Sequence, residues 1–256
     1  MRILISNDDG ILAPGLAALR AAVADLGEVA VVAPELPQNA SGHSITLDSP
    51  LAVRRVEIPG GGFAGLSVAG RPADCVRLAI KQLLKGPVDL VLAGINRGAN
   101  VGINVFYSGT VAAAAEAVMC GIPAVAFSAD VGDSPPQWAR HGKLARRILD
   151  RLLAAGPSPG DLINVNLPPT TPGLPRGVRV VPQSTAGVED RYHHQGEVDG
   201  CQSYRLAEEY RFTHQADTDV SALAEGYITV TPLHVDMTDH ERVAALAGLD
   251  WGRIAD

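Results

Sequence analysis

The beginning of the chain constrains the fold more than any other stretch. Residues 3–5 (Ile-Leu-Ile) form a short apolar run with no polar alternation, which is typical of a strand buried on both faces of a parallel sheet. Asp8, Asp9 and Gly10 follow almost directly. Because ligands of open α/β sheets bind beyond the carboxyl ends of the strands, we expect this strand to place two carboxylates where such sheets carry function.

The acidic pair allows two interpretations. Adjacent carboxylates about 6 Å apart repel each other by roughly 3 kcal/mol at an effective dielectric near 20. A cation between them, a shared proton or contact with water relieves that repulsion, and Mg²⁺ and Mn²⁺ are cations that prefer oxygen ligands. Alternatively, Asp8-Asp9-Gly10 is only a turn that caps the next helix. The pair alone does not decide between these two.

The following residues predict a strand–helix–strand unit. Pro14 lies where a helix would begin, residues 16–26 repeat apolar side chains at helical spacing, and Gly27 ends the pattern. Residues 29–33 form a second apolar run that stops at Pro34. Such a unit gives a parallel, right-handed connection. It lacks the G-x-G-x-x-G pattern after the first strand, so it is not a dinucleotide fingerprint.

The rest of the chain predicts an α/β fold: a mostly parallel sheet flanked by helices, with a C-terminal hairpin arm. We predict strands at 45–56, 66–69, 88–93, 122–128, 161–167, 178–182 and 227–233. Helices are predicted from residue 70, at 111–120 and 138–153, from residue 217 and at 239–247. Prolines from Pro168 onwards form a stiff connector. We therefore treat residues 1–256 as a single domain with a core at 1–168 and an extension at 169–256. Residues 184–213 are either an oligomer contact or a solvated arm.

Composition and charge exclude several classes of protein. The chain has 256 residues, a net charge of −7 and a predicted pI near 5.5, which argues against binding to a nucleic-acid polymer but not against a small phosphorylated substrate. Cys75, Cys120 and Cys201 are far apart and odd in number, as expected of reduced thiols. No apolar run approaches the length of a membrane span, so we expect a cytoplasmic protein with no membrane partner.

Polar residues also follow the later predicted strands. The loop at 37–44 carries His43, which is either a proton carrier or a structural histidine. Asn96 follows the strand predicted at 88–93 and offers a carbonyl oxygen. Ser108, Gly109 and Thr110 precede a helix rich in alanine, and such a step is either an anion cradle or an ordinary N-cap.

The chain resembles the stationary-phase survival protein SurE family. The resemblance spans almost the whole chain and rests on motifs that occur in order: Ser6-Asn7-Asp8-Asp9-Gly10, Ala33-Pro34, Gly42-His43-Ser44-Ile45-Thr46, Gly94-Ile95-Asn96-Arg97-Gly98-Ala99-Asn100, Tyr107-Ser108-Gly109-Thr110 and Gly226-Tyr227-Ile228-Thr229-Val230-Thr231-Pro232-Leu233. The resemblance implies a divalent-metal-dependent 5′-nucleotidase, a hydrolase of nucleoside 5′-monophosphates that is also associated with 3′-nucleotides and short polyphosphate. It further implies a Rossmann-like core whose C-terminal extension is exchanged within a homodimer or homotetramer.

The resemblance also assigns ligands to one Mg²⁺ or Mn²⁺ ion per subunit. Asp8, Asp9 and Asn96 match the family's metal ligands. The fourth ligand is usually a serine, and Asn39 stands at that position here. An asparagine carbonyl is still a hard neutral ligand, and Ser41 is the alternative hydroxyl.

A mechanism follows as a hypothesis. Asp8 and Asp9 are the catalytic carboxylates, with water favoured over a carboxylate as the nucleophile. Substrate contacts are assigned to a larger set of residues: Ser108, Gly109, Thr110, Asn100 and His43. The main alternative is a non-catalytic, Rossmann-like nucleotide sensor, and a second is a metal-dependent hydrolase or transferase with another substrate. A sensor of an anion gains nothing from carboxylates beside the phosphate unless a metal is present.

Overall fold

The computed structural model describes residues 1–58, 62–132, 135–170, 173, 175–207 and 211–251. Its strands, in chain order, are β1 Arg2–Ser6, β2 Glu28–Pro34, β3 Val53–Ile58, β4 Phe63–Val68, β5 Leu90–Arg97, β6 Ala124–Ala129, β7 Leu162–Leu167, β8 Val178–Val180, β9 Val188–Glu189, β10 Tyr192–Val198, β11 Cys201–Leu206, β12 Arg211–Phe212 and β13 Ile228–Leu233. Nine of them form the central sheet in the order β3-β4-β2-β1-β5-β6-β7-β13-β8. Strands β4, β2, β1, β5, β6 and β7 run parallel.

Helices cover both faces of this sheet. They are α1 Pro14–Ala22, α2 Pro72–Leu78 with a π-helical turn at Ala79–Leu83, α3 Gly109–Met119, α4 Trp138–Ala155, α5 Asp219–Ala224 and α6 His240–Ala247. Side chains of α1 and α4 pack with Ile3 and Ile5 in one buried cluster, whereas α2 and α3 pack with Leu4 in another. This alternation along β1 follows from the two-residue period of a strand. It confirms the predicted α/β class with a mostly parallel sheet.

The order in which strands are added to the sheet changes direction at β1. Strands β2 and β4 lie on one side of β1, and β5, β6 and β7 lie on the other. Ile3 is accordingly in register with Val29 of β2 and with Leu90 of β5. The connections leaving β1 and β5 therefore diverge and open a crevice at their carboxyl ends, which is where doubly wound sheets bind ligands.

One predicted strand is wrong in part. Within 45–56, only the portion from Val53 onwards is a strand. The N–H of Thr46 donates to Asp74 Oδ1 (3.0 Å), and its hydroxyl donates to Asp74 Oδ2 (2.7 Å). Pro50 has no N–H to contribute to a ladder. The backbone there is held by a helix side chain instead of by a neighbouring strand.

The C-terminal residues both extend the central sheet and form a separate hairpin. β13 pairs antiparallel with β7, and β8 pairs parallel with β13. β10 and β11 form a two-stranded sheet of their own whose side chains are almost all exposed. Residues 171, 172 and 174 of the predicted connector and 208–210 of the predicted arm lie outside the described residues. Among the residues that are described, no helix has the length and apolarity needed to cross a membrane.

Candidate active site

Asp8 and Asp9 follow β1 and are held by two different elements. Asp8 Oδ1 accepts a hydrogen bond from the Thr110 hydroxyl at the start of α3. Asp9 Oδ2 accepts one from the backbone N–H of Arg97 at the end of β5 (3.0 Å). Asn7 stabilises the turn after β1 by donating from Nδ2 to the carbonyl oxygen of Gly10 (2.9 Å). The acidic pair therefore lies in the crevice between β1 and β5.

Both carboxyl groups resist ionisation in the protein alone. Asp8 is 6% exposed, and its burial raises its pKa from 3.8 to about 6, although the hydrogen bond from Thr110 opposes the rise and the charge of Asp9 adds to it. Burial also raises the pKa of Asp9, against the opposing hydrogen bond from Arg97. A bound cation would favour the charged forms of both groups.

The donor set around the pair fits a hard cation. Asn96 donates from Nδ2 to the carbonyl oxygen of Gly98 (2.9 Å), which leaves its side-chain oxygen for a ligand. The Asp8 carboxylate also accepts from the Thr110 backbone N–H, but each carboxylate oxygen has two lone pairs, so Asp8 and Asp9 can both still bind a cation. In the described part of the chain, no three His, Cys, Asp or Glu side chains form a metal-binding group. The candidate set is made of carboxylate, amide and hydroxyl oxygens, which suit Mg²⁺ or Mn²⁺.

The turn after β2 brings both candidates for the fourth ligand to this place. The N–H of Gln38 donates to the carbonyl oxygen of Asp8 (2.8 Å), and the N–H of Ser41 donates to the carbonyl oxygen of Gln38 (3.3 Å). Asn39, between them, is exposed. The Ser41 hydroxyl is buried, and no partner for it is found among the described residues. An orphaned buried hydroxyl beside an acidic pair supports a ligand at this point.

The N-terminus of α3 lies against the acidic pair. A Cβ atom placed on Gly109 would lie 2.7 Å from Asp8 Cβ and 2.9 Å from Ser41 Oγ, so only glycine allows this approach. Ser108 is the N-cap, and its hydroxyl accepts from the N–H of Val111 (3.0 Å). The first N–H groups of a helix have no partner within the helix and favour an anion. Both predicted roles of this segment, cap and cradle, are compatible with its geometry.

The structure places His43 against α3, beside Glu116 and two turns after the N-terminus of the helix. His43 Nε2 lies 2.9 Å from Glu116 Oε2, and Arg77 Nε donates to Glu116 Oε1 (2.5 Å). Burial alone would raise the pKa of Glu116, which is 1% exposed, but the hydrogen bonds from His43 and Arg77 outweigh it and lower the pKa. His43 therefore ties the loop at 37–44 to α3, and its predicted substrate contact stays a prediction.

Asn100 lies in a buried polar network. Its Nδ2 donates to Ser128 Oγ (2.8 Å), its N–H donates to Asn166 Oδ1 (2.7 Å), and its carbonyl oxygen accepts from Asn164 Nδ2 (2.8 Å). Ser128 lies in β6, and Asn164 and Asn166 lie in β7, so polar side chains of two neighbouring strands converge on Asn100. They anchor the segment between β5 and α3 that leads to the cradle.

Two residues of the site were not identified from the sequence. Glu116 had a usable signal, because it is the single charged residue in a helix of small and apolar side chains, and such a residue is buried only when it is paired. Arg97 donates its backbone N–H to Asp9, a contact that residue type does not signal, and its positive charge also opposes the rise that burial causes in the pKa of Asp9.

Comparison with known proteins identifies the family. Residues 3–190 match the family model described as "Survival protein SurE". The chain belongs to the SurE family. It is 42% identical over 247 residues to the "5′-nucleotidase SurE" of Symbiobacterium thermophilum, covering 95% of this chain and 96% of that one. It is 41% identical to the "5′-nucleotidase SurE 1" of Thermus thermophilus, covering 97% and 98%.

A solved SurE structure has the same fold. The crystal structure of the SurE protein from Aquifex aeolicus superposes with a TM-score of 0.82 at 35% sequence identity, covering 96% of this chain and 98% of that one. The SurE resemblance stated from the sequence motifs is thereby confirmed.

Proposed function

We propose that this chain is a divalent-metal-dependent phosphatase that hydrolyses nucleoside 5′-monophosphates to nucleosides and phosphate. The observation that carries the proposal is the contact between Asp8, buried with a raised pKa, and the N-terminus of α3. A carboxylate beside an anion-binding helix end is compatible with a bound phosphate only when a cation lies between them. The printed names of the relatives support the nucleotide substrate.

One Mg²⁺ or Mn²⁺ ion per subunit would be held by Asp8, Asp9 and Asn96, with Asn39 or Ser41 as the fourth ligand. When bound, it would act as a Lewis acid toward the phosphoryl oxygens. The protein supplies the positioning: the start of α3 would bind a non-bridging oxygen through the N–H of Gly109, since the N–H groups of Thr110 and Val111 already bind Asp8 and Ser108, and the Thr110 hydroxyl orients Asp8. Water is the favoured nucleophile, and a phospho-enzyme trapped by a denaturing quench would contradict this assignment.

The test is phosphate release from nucleoside 5′- and 3′-monophosphates and from a short polyphosphate, each with Mg²⁺, with Mn²⁺ and with EDTA. We expect metal-dependent release that EDTA abolishes and that Asp8→Asn reduces by at least about 100-fold. Binding of nucleotides without release under any metal would favour the alternative, a non-catalytic nucleotide sensor. The 3′-nucleotide and polyphosphate arms decide how broad the activity is.

Assembly is a separate proposal. The hairpin β10–β11 exposes Tyr192, Val198, Tyr204 and Leu206, and exposed apolar side chains on a projecting arm favour a contact with a second copy. We propose that residues 169–256 act as an extension of the core at 1–168 and join subunits in a homodimer or homotetramer. A monomeric mass by light scattering would contradict this. The cytoplasmic location stays a prediction.

A further inference from the structure

A cleft of about 530 Å³ borders Asp9 on the face of the sheet that carries α1 and α4. Its walls include Gly15 near the start of α1, Arg97 at the end of β5, Pro136 and Trp138. The cradle at Gly109 is on the opposite face, with α2 and α3. The acidic pair lies between the two, so Asp8 contacts the cradle and Asp9 contacts the cleft.

The indole of Trp138 has a fixed place in this cleft. It is the first residue of α4 and is half-buried. A Cβ atom on Gly15 would lie 3.0 Å from Trp138 Cζ3 and 2.0 Å from the carbonyl oxygen of Ile95, so the glycine makes room for the ring. The ring also packs against His141, with centroids 5.8 Å apart. A ring held by packing loses little freedom when a ligand stacks on it.

The remaining walls complete an amphipathic site. Arg97 is exposed, and its backbone is bound to Asp9, so its guanidinium extends from a rigid strand end. Pro135 and Pro136 add apolar surface. An aromatic face, a cation and an apolar wall are the groups that bind a heterocyclic base and a ribose. Cleft volumes of roughly 300–1,000 Å³ accommodate small ligands.

We infer that this cleft binds the nucleoside half of the substrate, with the base on Trp138 and ribose oxygens near Arg97. The inference rests on the proposed function. In this arrangement the phosphate is placed at the N-terminus of α3 and the nucleoside in the cleft, with the ester oxygen between them beside Asp8 and Asp9, since Asp8 contacts α3 and Asp9 borders the cleft. Stacking on an aromatic ring accepts every base, so Trp138 distinguishes nucleotides from other phosphate esters and not one base from another.

A fluorescence titration tests binding without turnover. The chain has two tryptophans, and Trp251→Phe leaves Trp138 as the single indole. We expect adenosine, and AMP in EDTA, to change the emission of that variant saturably. The matched variant Trp138→Phe retains Trp251, which is 56% exposed near the chain end, and its emission should not change. An unchanged Trp138 emission at millimolar adenosine and AMP would overturn the inference.

A kinetic comparison separates this inference from the proposed function. For Trp138→Leu, we expect kcat/KM for AMP to fall about tenfold or more, and that for glycerol 2-phosphate, which lacks a base, to change by less than about twofold. Trp138→Phe should retain most of the activity on AMP, because its ring can still stack on the base. Equal losses on both substrates would overturn the cleft assignment. Absence of hydrolysis of both by the unmodified protein would contradict only the proposed function.

Discussion

Replacing Asp8 by asparagine should stabilise the metal-free protein while removing its activity. The carboxyl group is 6% exposed, and its pKa rises from 3.8 to about 6 on folding. Because each pKa unit corresponds to about 1.4 kcal/mol, ionised Asp8 destabilises the fold by about 3 kcal/mol at pH 7. An amide keeps the oxygen that accepts from Thr110 and carries no charge. In EDTA at pH 7, Asp8→Asn should therefore melt about 6 °C higher or more.

The pH dependence gives the effect its signature. A raised carboxyl pKa means that the folded state binds the proton more tightly, so the destabilisation is absent well below pH 3.8 and complete above about pH 6. The gain from Asp8→Asn should fall to about half its full value at pH 5 and to about a fifth at pH 4. The control is Asp48→Asn, which removes the same charge from an exposed position.

Scanning calorimetry or denaturant unfolding in EDTA measures both variants across this pH range. A gain that is equal at pH 4 and pH 7, or that is shared by Asp48→Asn, would show that the charge of buried Asp8 is not its cause. A loss of stability at pH 7 would refute the reasoning entirely. Mn²⁺ should reverse the order, because it binds the unmodified protein and stabilises only that form.

The remaining predictions concern the groups around the pair. Gly109→Ala should lower kcat/KM at least about 100-fold in the phosphate-release assay and destabilise the fold by about 1 to 3 kcal/mol, because its Cβ would lie 2.7 Å from Asp8 Cβ. Glu116→Gln should cost about 1 to 2 kcal/mol at pH 7 in urea unfolding. The pKa of Glu116 is lowered in the fold. The stability difference between the two proteins should therefore be complete at pH values above the ordinary pKa of a glutamate, and it should disappear as the pH falls through the lowered pKa of folded Glu116. Asn39→Ala and Ser41→Ala test which residue is the fourth metal ligand. The variant that has lost this ligand should require about tenfold more Mn²⁺ for half-maximal activity. If both variants have the same Mn²⁺ dependence as the unmodified protein, neither residue is a metal ligand.

The parallel sheet was predictable because its strands are buried on both faces. β1, β2 and β6 are mostly apolar, with the polar Ser6 and Ser128 near the carboxyl ends of β1 and β6, and the proline at position 34 ends β2. The same reasoning failed at 45–52, where β-branched and apolar residues favoured a strand. There the bonds from Thr46 to Asp74, a residue 28 positions away, decided the conformation. A local pattern cannot report a contact of that range.

The site was predictable to the extent that it depends on strand ends. Asp8 follows the parallel strand β1 and Asn96 lies at the carboxyl end of the neighbouring strand β5, so topology alone brings them together. The side of the sheet that each group faces was not predictable, since it depends on which neighbour donates to it. Asp8 is bound by a hydroxyl from α3, whereas Asp9 is bound by the N–H of Arg97. The sequence shows that Thr110 has a hydroxyl group that can donate to Asp8. It does not show which backbone N–H will donate to Asp9.

The division of the acidic pair between two faces explains why the protein tolerates an unfavourable charge. A metal site made only of exposed carboxylates would be stable without its ion, but it would hold the ion in water and far from the helix end. Burying Asp8 against Gly109 brings the carboxylate to the start of α3, and it does so at the expense of stability in the metal-free state. The proposed cation that relieves Asp8 would then lie between two sites of different chemistry: the start of α3 on one face and an aromatic cleft on the α1–α4 face. A phosphate ester fits that arrangement because its anionic and apolar halves are joined by a single oxygen, and the bond to that oxygen is the one that hydrolysis breaks.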